Sequence, residues 1–346
     1  MKAVIMAGGK GTRLRPLTCK LPKPMVPVAC RPMMEHVVRL LLAHGFRDLA
    51  CTLCYMPDAI QSHFGDGASF GCSIRYSIEE TPLGTAGSVR ALADFLDGTF
   101  LVISGDALTD IDLASAVEFH RQKGAAATIV LTRVETPLEY GVVIVDADCR
   151  ITRFLEKPSW GEVFSDTVNT GIYVLEPDVM ELVEASRESD FSKNLFPRLL
   201  ADGYPMFGYV AEGYWCDVGN LEQYRNTHLD ILDGRVRVAI PGELVDESVW
   251  IGEGAEVEAG AMLRAPVVVG PRARVEKGAA AGDYSVIGAA SILAGGSSVR
   301  RSILWPGAFV GQNAQVHAAI LASRVSVKAG ASVLEGAVVG SGSSIG

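Results

Sequence analysis

Apolar residues recur every six positions in the last third of the chain. The run starts at Ile251, keeps its spacing to Val299, and resumes after one-residue shifts. No helix repeats every six residues, whereas a coil with three six-residue sides points one apolar side chain per side into its interior. The pattern therefore predicts a parallel β-helix of hexapeptide repeats. The repeat positions are Ile251, Val257, Leu263, Val269, Val275, Ala281, Ile287, Leu293, Val299, Leu304, Val310, Val316, Val327, Val333, Val339 and Ile345.

The repeat pattern runs to the end of the sequence, where Ile345 is a repeat position and Gly346 is the last residue. The open ends of a solenoid need covering. We therefore expect that the natural chain continues past 346 or that another subunit covers this end. The second case favours a homo-oligomer.

Short apolar runs alternate with amphipathic segments over residues 1–232. Strands are predicted over 2–7, 48–54, 99–104 and 127–133, and helices over 31–44, 86–96 and 113–123. Repeated strand-helix-strand units predict an α/β fold with a Rossmann-like, mostly parallel sheet, whose ligands bind at the carboxyl ends of the strands. The predicted organisation is a first domain over 1–232, a linker over 233–248 and the β-helix over 249–346.

Charge and cysteine content exclude several classes of protein. Lys and Arg number 31 against 40 Asp and Glu, a net charge of −9, so a role in coating nucleic acid is disfavoured. No apolar run reaches the roughly 18 residues of a membrane span. The odd number of cysteines and the short apolar N-terminus predict a reduced, cytoplasmic protein. Cys51 and Cys54 form a lone CxxC, which we interpret as two small apolar side chains.

A glycine-rich loop with two cations follows the first strand. It reads GGKGTRLRPLT, and KLPKP comes shortly after it. The glycines let the backbone direct N–H groups at anionic oxygens, and Arg13 and Lys23 add full charges. The loop is not a P-loop, and Leu14 stands where the dinucleotide fingerprint needs its third glycine. It predicts a triphosphate-binding loop of another type. The nucleotide-binding candidates in it are Gly8, Gly9, Gly11, Thr12, Arg13 and Lys23, of which Arg13 and Lys23 are the catalytic candidates.

Two aspartates stand beside predicted strands. Asp106 is the first acidic residue after the strand that ends near Ser104, and Asp217 lies beside Trp215. A lone aspartate is most often a turn or helix cap. We expect that ordinary role for Asp110 and Asp112, with contact to a metal as the alternative.

These motifs resemble those of the sugar-phosphate nucleotidyltransferases, also called NDP-sugar pyrophosphorylases. GxGTRLRPLT followed by PKPM is similar to the family signature, PLGTAG (82–87) to its base-contacting loop, and the Gly-Asp at 105–106 to its metal-binding pair. YGVV, FLEKP, NTG and WCDVG complete the set, in order, over residues 1 to about 230. Within the family the sequence most resembles bacterial mannose-1-phosphate guanylyltransferases that carry a left-handed β-helix and continue into a phosphomannomutase-like domain.

The resemblance implies nucleotidyl transfer from a nucleoside triphosphate to a sugar 1-phosphate with release of pyrophosphate. Its nearest form implies that GTP and mannose 1-phosphate give GDP-mannose. It further implies that Asp106 and Asp217 bind Mg²⁺, which would screen the repulsion between two polyanions. Asp106, Gly84 and Thr85 would also contact the nucleotide. The residues implied to bind the sugar phosphate are Tyr140, Gly141, Glu156, Lys157 and Asn169.

Alternation along a strand would turn Glu156 and Lys157 to opposite faces unless the strand bends there, and Pro158 makes a bend plausible. Gly141 is expected to leave room for the sugar ring.

Several alternatives stay open at the level of sequence. No residue identifies the base or the sugar, so transfer of a uridylyl, thymidylyl or adenylyl group to glucose 1-phosphate competes with the guanylyl reaction. A non-catalytic paralogue that binds a nucleotide sugar and regulates a partner would have lost its charged motif residues, which are present here. An acyltransferase of the β-helix class would use a histidine in the coils, where only His317 lies. The six histidines show no ligand spacing, and His36 and His44 are expected to be solvated.

Overall fold

The computed structural model describes residues 1–157, 159 and 165–346. The chain divides into two compact units. One is formed by residues 1–9 and 37–217, and the other by residues 10–36 and 218–346. The bounds of the three segments predicted from the sequence stay a prediction.

Short strands make up much of the chain before residue 218. They are β1 (Lys2–Met6), β2 (Pro27–Val28), β3 (Arg31–Pro32), β4 (Asp48–Leu53), β5 (Ser73–Ile78), β6 (Phe100–Ser104), β7 (Ala107–Thr109), β8 (Ala127–Arg133), β9 (Gly141–Val145), β10 (Ile151–Glu156), β11 (Thr167–Leu175), β12 (Met206–Val210) and β13 (Trp215–Asp217).

The first unit is built on a nine-stranded mixed sheet in the order β10-β9-β11-β6-β1-β4-β5, and β8 pairs with both β11 and β12. The predicted parallel arrangement is confirmed for β1, which lies between β4 and β6 and is parallel to both. The central strands β1 and β6 are apolar runs and are buried over most of their length, as is typical of parallel strands inside a sheet. The sheet turns antiparallel beyond β6, where β11 pairs with β6, β8 and β9. The carboxyl ends of β1 and β6 lie side by side, because Met6 pairs with Ser104.

The helices are mostly short. Those of α type are α1 (Met33–Ala43), α2 (Pro57–Phe64), α3 (Gly84–Arg90), α4 (Leu113–Lys123), α5 (Phe196–Ala201) and α6 (Leu221–Leu232); 3-10 turns span Thr12–Leu14, Leu17–Cys19, Lys23–Met25, Ala68–Phe70, Pro137–Glu139 and Pro177–Leu182, and a π turn spans Phe191–Leu195. In the part of the chain that the structure describes, no helix is both long and apolar enough to cross a bilayer.

The predicted bounds were right for α4 and β8 and wrong for two helices. The helix predicted from residue 31 begins at Met33, because Arg31–Pro32 pairs with Pro27–Val28 as a hairpin. The helix predicted over 86–96 is α3, which begins two residues earlier, at Gly84, and ends at Arg90; only isolated turns follow it.

The β-helix fills most of the second unit. After an antiparallel strand β14 (Glu243–Asp246), parallel strands form three sheets, one on each side of the coil. The first side holds Val249–Ile251, Val267–Val269, Ser285–Ile287, Ile303–Leu304, Ile320–Leu321 and Val338–Val339; the second holds Glu256–Val257, Arg274–Val275, Ile292–Leu293, Phe309–Val310, Ser326–Val327 and Ser344–Ile345; the third holds Met262–Arg264, Ala280–Gly282, Ser298–Arg300, Gln315–His317 and Ser332–Val333.

The predicted repeat positions stack in columns inside the coil, apart from Val257 in the first coil, which is 37% exposed. Ile251 pairs with Val269, and the column continues through Ile287 and Leu304. These side chains form the apolar core of the β-helix. The structure thus confirms the hexapeptide prediction, and the fold is that of a left-handed β-helix.

The one-residue shifts occur at corners of the coil. In a full corner, Asp283 and Tyr284 are both in the left-handed region, with φ of 49° and 65°. In the two shortened corners a single left-handed residue remains, Arg301 in one and Ala318 in the other. A corner can therefore lose one residue while the apolar columns stay aligned.

Two expectations about single side chains had different outcomes. Cys51 is fully buried and Cys54 half-buried, as expected for small apolar side chains. The expectation that His36 is solvated was wrong. His36 is 6% exposed, and its Nε2 lies 3.0 Å from the carbonyl oxygen of Val28 in the hairpin. His44 is half-buried beside Asp112.

Candidate active site

The cationic segment, defined here as residues 10–25, is folded tightly on itself. Gly11 adopts φ of 62°, and a Cβ placed on it would lie 2.7 Å from the Cβ of Lys23. The Thr18 hydroxyl donates to the Gly11 carbonyl at 2.7 Å. Only glycine meets both demands, a left-handed backbone and contact with another side chain. The turn thereby brings Lys23, twelve residues away, against the start of the segment.

The two cations of the segment differ in exposure. Arg13 is exposed within the 3-10 turn Thr12–Leu14. Lys23 begins the 3-10 turn Lys23–Met25 and is only 6% exposed. A buried ammonium demands compensating negative groups. Thr12 is exposed beside Arg13, while Gly8 and Gly9 follow the last strand residue of β1.

The Arg13 guanidinium lies against the N-terminus of α6. A Cβ placed on Gly219 would lie 3.2 Å from each terminal nitrogen of Arg13. The Gly219 N–H donates to the side-chain oxygen of Gln223, and the Asn220 side chain accepts from the Gln223 N–H. This exchange resembles a capping box and fixes the start of the helix. The glycine in the WCDVG motif therefore makes room for Arg13.

The two aspartates predicted to bind metal lie at the same end of a small sheet. β7 and β13 pair antiparallel, and Asp217 stands directly opposite Ala107. Directly opposed residues in such a pair have Cα atoms about 4.5–5.5 Å apart. Asp106 precedes Ala107, so both half-buried carboxylates come from neighbouring positions. The sheet brings together two residues that are far apart in sequence.

The donor set of this acid pair fits a magnesium ion. Mg²⁺ prefers oxygen ligands and commonly takes one or two carboxylates, with phosphate oxygens and waters for the rest. Residues 1–157, 159 and 165–346 contain no group of three or more His, Cys, Asp or Glu that could hold a metal by itself. An ion at Asp106 and Asp217 would therefore need further ligands from water or from a substrate.

The neighbouring aspartates have structural roles, as expected. Asp110 accepts from the Tyr214 N–H at 2.7 Å. Asp112 is the N-cap of α4 and accepts from the N–H groups of Ala114 and Ser115.

The predicted base-contacting loop begins α3 and is held by a segment that the sequence analysis missed. A Cβ on Gly84 would lie 2.4 Å from the Ser189 carbonyl oxygen, and the Ala86 N–H donates to that oxygen. The Thr85 hydroxyl donates to Asp190 at 3.0 Å and accepts from the Phe191 N–H. The hydroxyl of Thr85 is thus occupied within the protein.

The same missed segment reaches the residues predicted to bind the sugar phosphate. The Ser192 hydroxyl lies close enough to the Glu156 carboxylate to lower the pKa of that carboxyl. The Asn169 amide donates to the Tyr173 hydroxyl at 3.0 Å and lies 3.5 Å from the Ser192 Oγ. We call this group the Glu156 cluster. Its members are Glu156, Asn169, Tyr173, Asp190 and Ser192.

A β-bulge directs Asn169 into this cluster. The register of β11 against β8 shifts between Asn169 and Tyr173, and Gly171 there has φ of 76°. The Asn169 side-chain oxygen accepts from the Gly171 N–H. Bulges of this kind re-aim side chains and are frequent near functional sites.

Gly141 faces Glu156 across β9 and β10. A Cβ on Gly141 would lie 2.8 Å from the Phe154 ring and 3.0 Å from a Glu156 carboxylate oxygen. Phe154 and Glu156 therefore occupy the space beside Gly141. A glycine is needed here to accommodate these two side chains, whereas the sequence led us to expect that it leaves room for the sugar ring.

The strand bends at Lys157, as expected. β10 ends at Glu156, and Lys157 has φ of 47° while its N–H donates to the Tyr140 carbonyl. The exposed Lys157 side chain therefore does not continue the alternation of the strand. Tyr140 packs edge-on against Trp215, the neighbour of the acid pair in β13. Pro158 lies outside the described residues.

The pKa of the Glu156 carboxyl lies above its ordinary value, although the residue as a whole is exposed at the end of β10. Burial among its neighbours is the main cause that raises its pKa, and the negative charge of Asp190 adds to it. Lys157, Lys193 and the Ser192 hydroxyl act in the opposite direction. Burial likewise raises the pKa of Tyr173, whose hydroxyl stays a proton donor or acceptor at neutral pH.

Comparison with known families agrees with this arrangement. Residues 2–234 match the nucleotidyl transferase family. The chain belongs to that family. Residues 277–346 match a second model, described as a GlmU-like C-terminal hexapeptide domain.

Curated relatives place this nucleotidyltransferase among enzymes of sugar nucleotides. It is 35% identical to a UTP–glucose-1-phosphate uridylyltransferase of Synechocystis sp., over 96% of this chain and 90% of the relative. It is 38% identical to a mannose-1-phosphate guanylyltransferase of Mycobacterium tuberculosis, over 80% of this chain and 77% of the relative. The protein is therefore a sugar-1-phosphate nucleotidyltransferase, which uses a nucleoside triphosphate and a sugar 1-phosphate and releases pyrophosphate.

A solved structure from Bacillus anthracis, in complex with a sucrose and named provisionally as a glucose-1-phosphate thymidylyltransferase, matches with a TM-score of 0.60 at 28% identity. The match covers 66% of this chain and 93% of that one. The fold of the catalytic region is thus that of a nucleotidyltransferase.

Proposed function

We propose that this nucleotidyltransferase joins GTP and mannose 1-phosphate to give GDP-mannose and pyrophosphate. The supporting observation is the similarity to relatives with that activity in their names, from Mycobacterium tuberculosis and from Candida albicans, the latter 39% identical over 65% of this chain. We place the reaction in the cytoplasm, where both substrates would be available without transport.

The reaction needs no general base. An oxygen of the sugar 1-phosphate, already an anion at neutral pH, attacks the α-phosphorus of the nucleotide. A new P–O bond forms as the bond to the β-phosphate breaks, and pyrophosphate leaves in line. The protein contributes position and charge neutralisation, which are the main sources of catalysis in phosphoryl transfer.

Each candidate residue has a role in this proposal that matches its chemistry. The planar guanidinium of Arg13 binds the β- and γ-phosphates in the manner of a fork. The ammonium of Lys23 acts as a point charge near the α-phosphate, and the N–H groups from Gly8 to Thr12 add dipoles. A magnesium ion bound at Asp106 and Asp217 would neutralise phosphate charge.

The Glu156 cluster is proposed to bind the sugar. Glu156 offers acceptors for hydroxyl groups, and Asn169 offers the amide hydrogen that makes only a long contact of 3.5 Å with Ser192. Lys157 offers a cation for the phosphate. The backbone of Gly84 and Thr85, rather than the occupied Thr85 hydroxyl, is proposed to contact the base.

A second candidate is transfer from UTP to glucose 1-phosphate. The observation that favours it is the Synechocystis relative, whose match covers almost the whole of both chains. The two candidates differ in the nucleotide and in the sugar, and the two sugar phosphates differ from each other at one stereocentre. A single experiment that offers both pairs therefore separates the candidates.

The deciding experiment is a substrate panel. Purified protein receives GTP, UTP, dTTP or ATP with mannose, glucose or glucosamine 1-phosphate, and released pyrophosphate is measured with magnesium present. We expect kcat/KM to be at least tenfold higher for GTP with mannose 1-phosphate than for any other pair. A higher value for UTP with glucose 1-phosphate would replace the first candidate by the second.

A further inference from the structure

The hairpin that follows the cationic segment has an unfavourable turn. The Lys23 carbonyl accepts from the Val26 N–H and closes the turn from which β2 starts. At the tip of the hairpin, Ala29 and Cys30 have φ of 45° and 66°, in the left-handed region that neither residue prefers. Such a backbone persists only when its surroundings hold it.

Helix α6 holds this hairpin through two buried side chains. The Tyr224 hydroxyl donates to the Pro27 carbonyl at 2.7 Å, and the Ala29 N–H donates to Nε2 of His228 at 3.2 Å. For Nε2 to accept, the His228 proton must be on Nδ1, which lies 2.9 Å from the Tyr224 carbonyl. Burial lowers the pKa of His228 to about 4, so the neutral ring persists at physiological pH.

The β-helix completes this network. Nε1 of Trp305 donates to the Tyr224 hydroxyl at 2.8 Å, and both residues are at most 2% exposed. The Tyr224 hydroxyl therefore accepts one hydrogen bond and donates another. The Trp305 backbone is itself bonded to the next coil, because its N–H donates to the Leu321 carbonyl.

We propose that Trp305 is a positioning residue for the nucleotide site. Through the Tyr224 hydroxyl it fixes the Pro27 carbonyl, and so it sets the backbone that carries Lys23 four residues earlier. The β-helix is then part of the catalytic apparatus and not only a separate structural domain. This inference rests on the proposed function in one respect, namely that the cationic segment binds the nucleoside triphosphate.

Single-atom and single-ring substitutions test the proposal. Trp305→Phe removes the indole donor and keeps an aromatic ring, and Tyr224→Phe removes the hydroxyl. We expect kcat/KM for the nucleoside triphosphate to fall three- to tenfold in Trp305→Phe and more in Tyr224→Phe. The KM for the sugar 1-phosphate should change less than twofold. The double variant should be no worse than Tyr224→Phe, because both changes break one chain of hydrogen bonds.

Trp250→Phe is the matched control. Trp250 also lies in the β-helix, is half-buried and makes no side-chain hydrogen bond in the structure as described. Its substitution should leave both kinetic constants unchanged.

Three outcomes would overturn the proposal. They are unchanged kinetic constants in Trp305→Phe with only a lower Tm, equal effects on both substrates, and additive effects in the double variant. If Trp305→Phe does not fold, Tyr224→Phe decides by the same constants. Calorimetric binding of GTP without sugar phosphate gives a second readout. If the wild type binds GTP but turns over no substrate pair, the proposed function fails, and weaker GTP binding in the variants still supports the inference.

Discussion

The cationic segment and the Glu156 cluster hold their polar groups in different ways. The cationic segment is one continuous stretch, whose turns depend on Gly11 and on a hydrogen bond from Thr18. The Glu156 cluster is assembled from β10, from a bulge in β11 and from the turn at Asp190 and Ser192. The function of a continuous motif can be predicted from its sequence, whereas a cluster assembled from distant segments can be identified only in the folded structure.

The two regions also differ in how their charge responds to pH. The cationic segment acts through a guanidinium, a type of group that is not deprotonated in proteins. Glu156 is a carboxylate whose pKa is raised by burial and by Asp190. We therefore expect phosphate binding to be insensitive to mild acid and sugar binding to weaken in it.

Loss of a cation should have the largest effect. Arg13→Ala and Lys23→Met should each lower kcat by about 100-fold or more, since preorganised charge contributes several kcal/mol to such transition states. Methionine is chosen at Lys23 because that side chain is buried. Steady-state kinetics, with circular dichroism as the control for folding, measure the effect. A kcat within threefold of the wild-type value in both variants would show that the charges of the cationic segment do not dominate catalysis.

Loss of an acid from the pair should have a similar effect that depends on metal. Asp106→Asn and Asp217→Asn should raise the magnesium concentration for half-maximal rate at least tenfold, because a neutral amide is a weaker ligand. Excess EDTA should abolish pyrophosphate release in the wild type. Full activity in EDTA would contradict the metal assignment.

A methyl group on Gly219 should disturb Arg13 by contact alone. Gly219→Ala places a Cβ 3.2 Å from the guanidinium nitrogens and 3.0 Å from the Gln223 side-chain oxygen. We expect KM for the nucleoside triphosphate to rise about fivefold to tenfold, as a misplaced binding group costs affinity. Gly98→Ala is the control, since a Cβ there would meet nothing within 4 Å. Equal KM values in the two variants would show that Arg13 is not positioned by this contact.

The acid limb of the pH profile of kcat/KM for the sugar 1-phosphate should reveal the raised pKa of Glu156. As pH falls through that pKa, protonation removes an acceptor, so kcat/KM for the sugar 1-phosphate should fall while that for the nucleotide changes less. Asp190→Asn removes a neighbouring negative charge and should move the limb to lower pH. A limb that does not move in Asp190→Asn, or that persists in Glu156→Gln, would assign it to another group.

The smallest expected effect is on stability alone. Asp112→Ala removes the N-cap of α4 and should cost about 1 kcal/mol of unfolding free energy, with kcat unchanged. Hydrogen bonds from Ser115 lower the pKa of Asp112, so this stabilisation is present above the unfolded pKa and is lost as pH falls through the lower folded value. Urea unfolding at pH 7 and pH 3 measures it. A large loss of kcat would instead give Asp112 a place beside Asp106.

Most of the fold could be predicted because its signals are periodic. One apolar position in six identified the β-helix, and apolar runs ended by glycine identified β1 and β6. The antiparallel half of the sheet was missed, since pairing direction leaves no mark in a short strand. The start of α1 was predicted two residues too early, because Arg31 and Pro32 form a strand of the hairpin and are not helical.

The candidate site was predictable only where its residues lie within motifs. The meeting of Asp106 with Asp217 depends on the pairing of β7 with β13, which no local pattern announces. Asp190 and Ser192 were missed for the same reason. Asp190 caps the turn after it, a signal that identifies a helix start and says nothing of Thr85 or Glu156.

The corners that lack one residue make the β-helix tolerant of changes in chain length. Because the strands of successive coils lie about 4.8 Å apart whatever the corner contains, the height of this part of the molecule depends on the number of coils and not on the number of residues. A single deletion at Asp283 or Tyr284 should therefore produce a third corner like those at Arg301 and Ala318 without displacing any coil above it. Insertion of a complete coil, by contrast, would lengthen the stack by one fixed step.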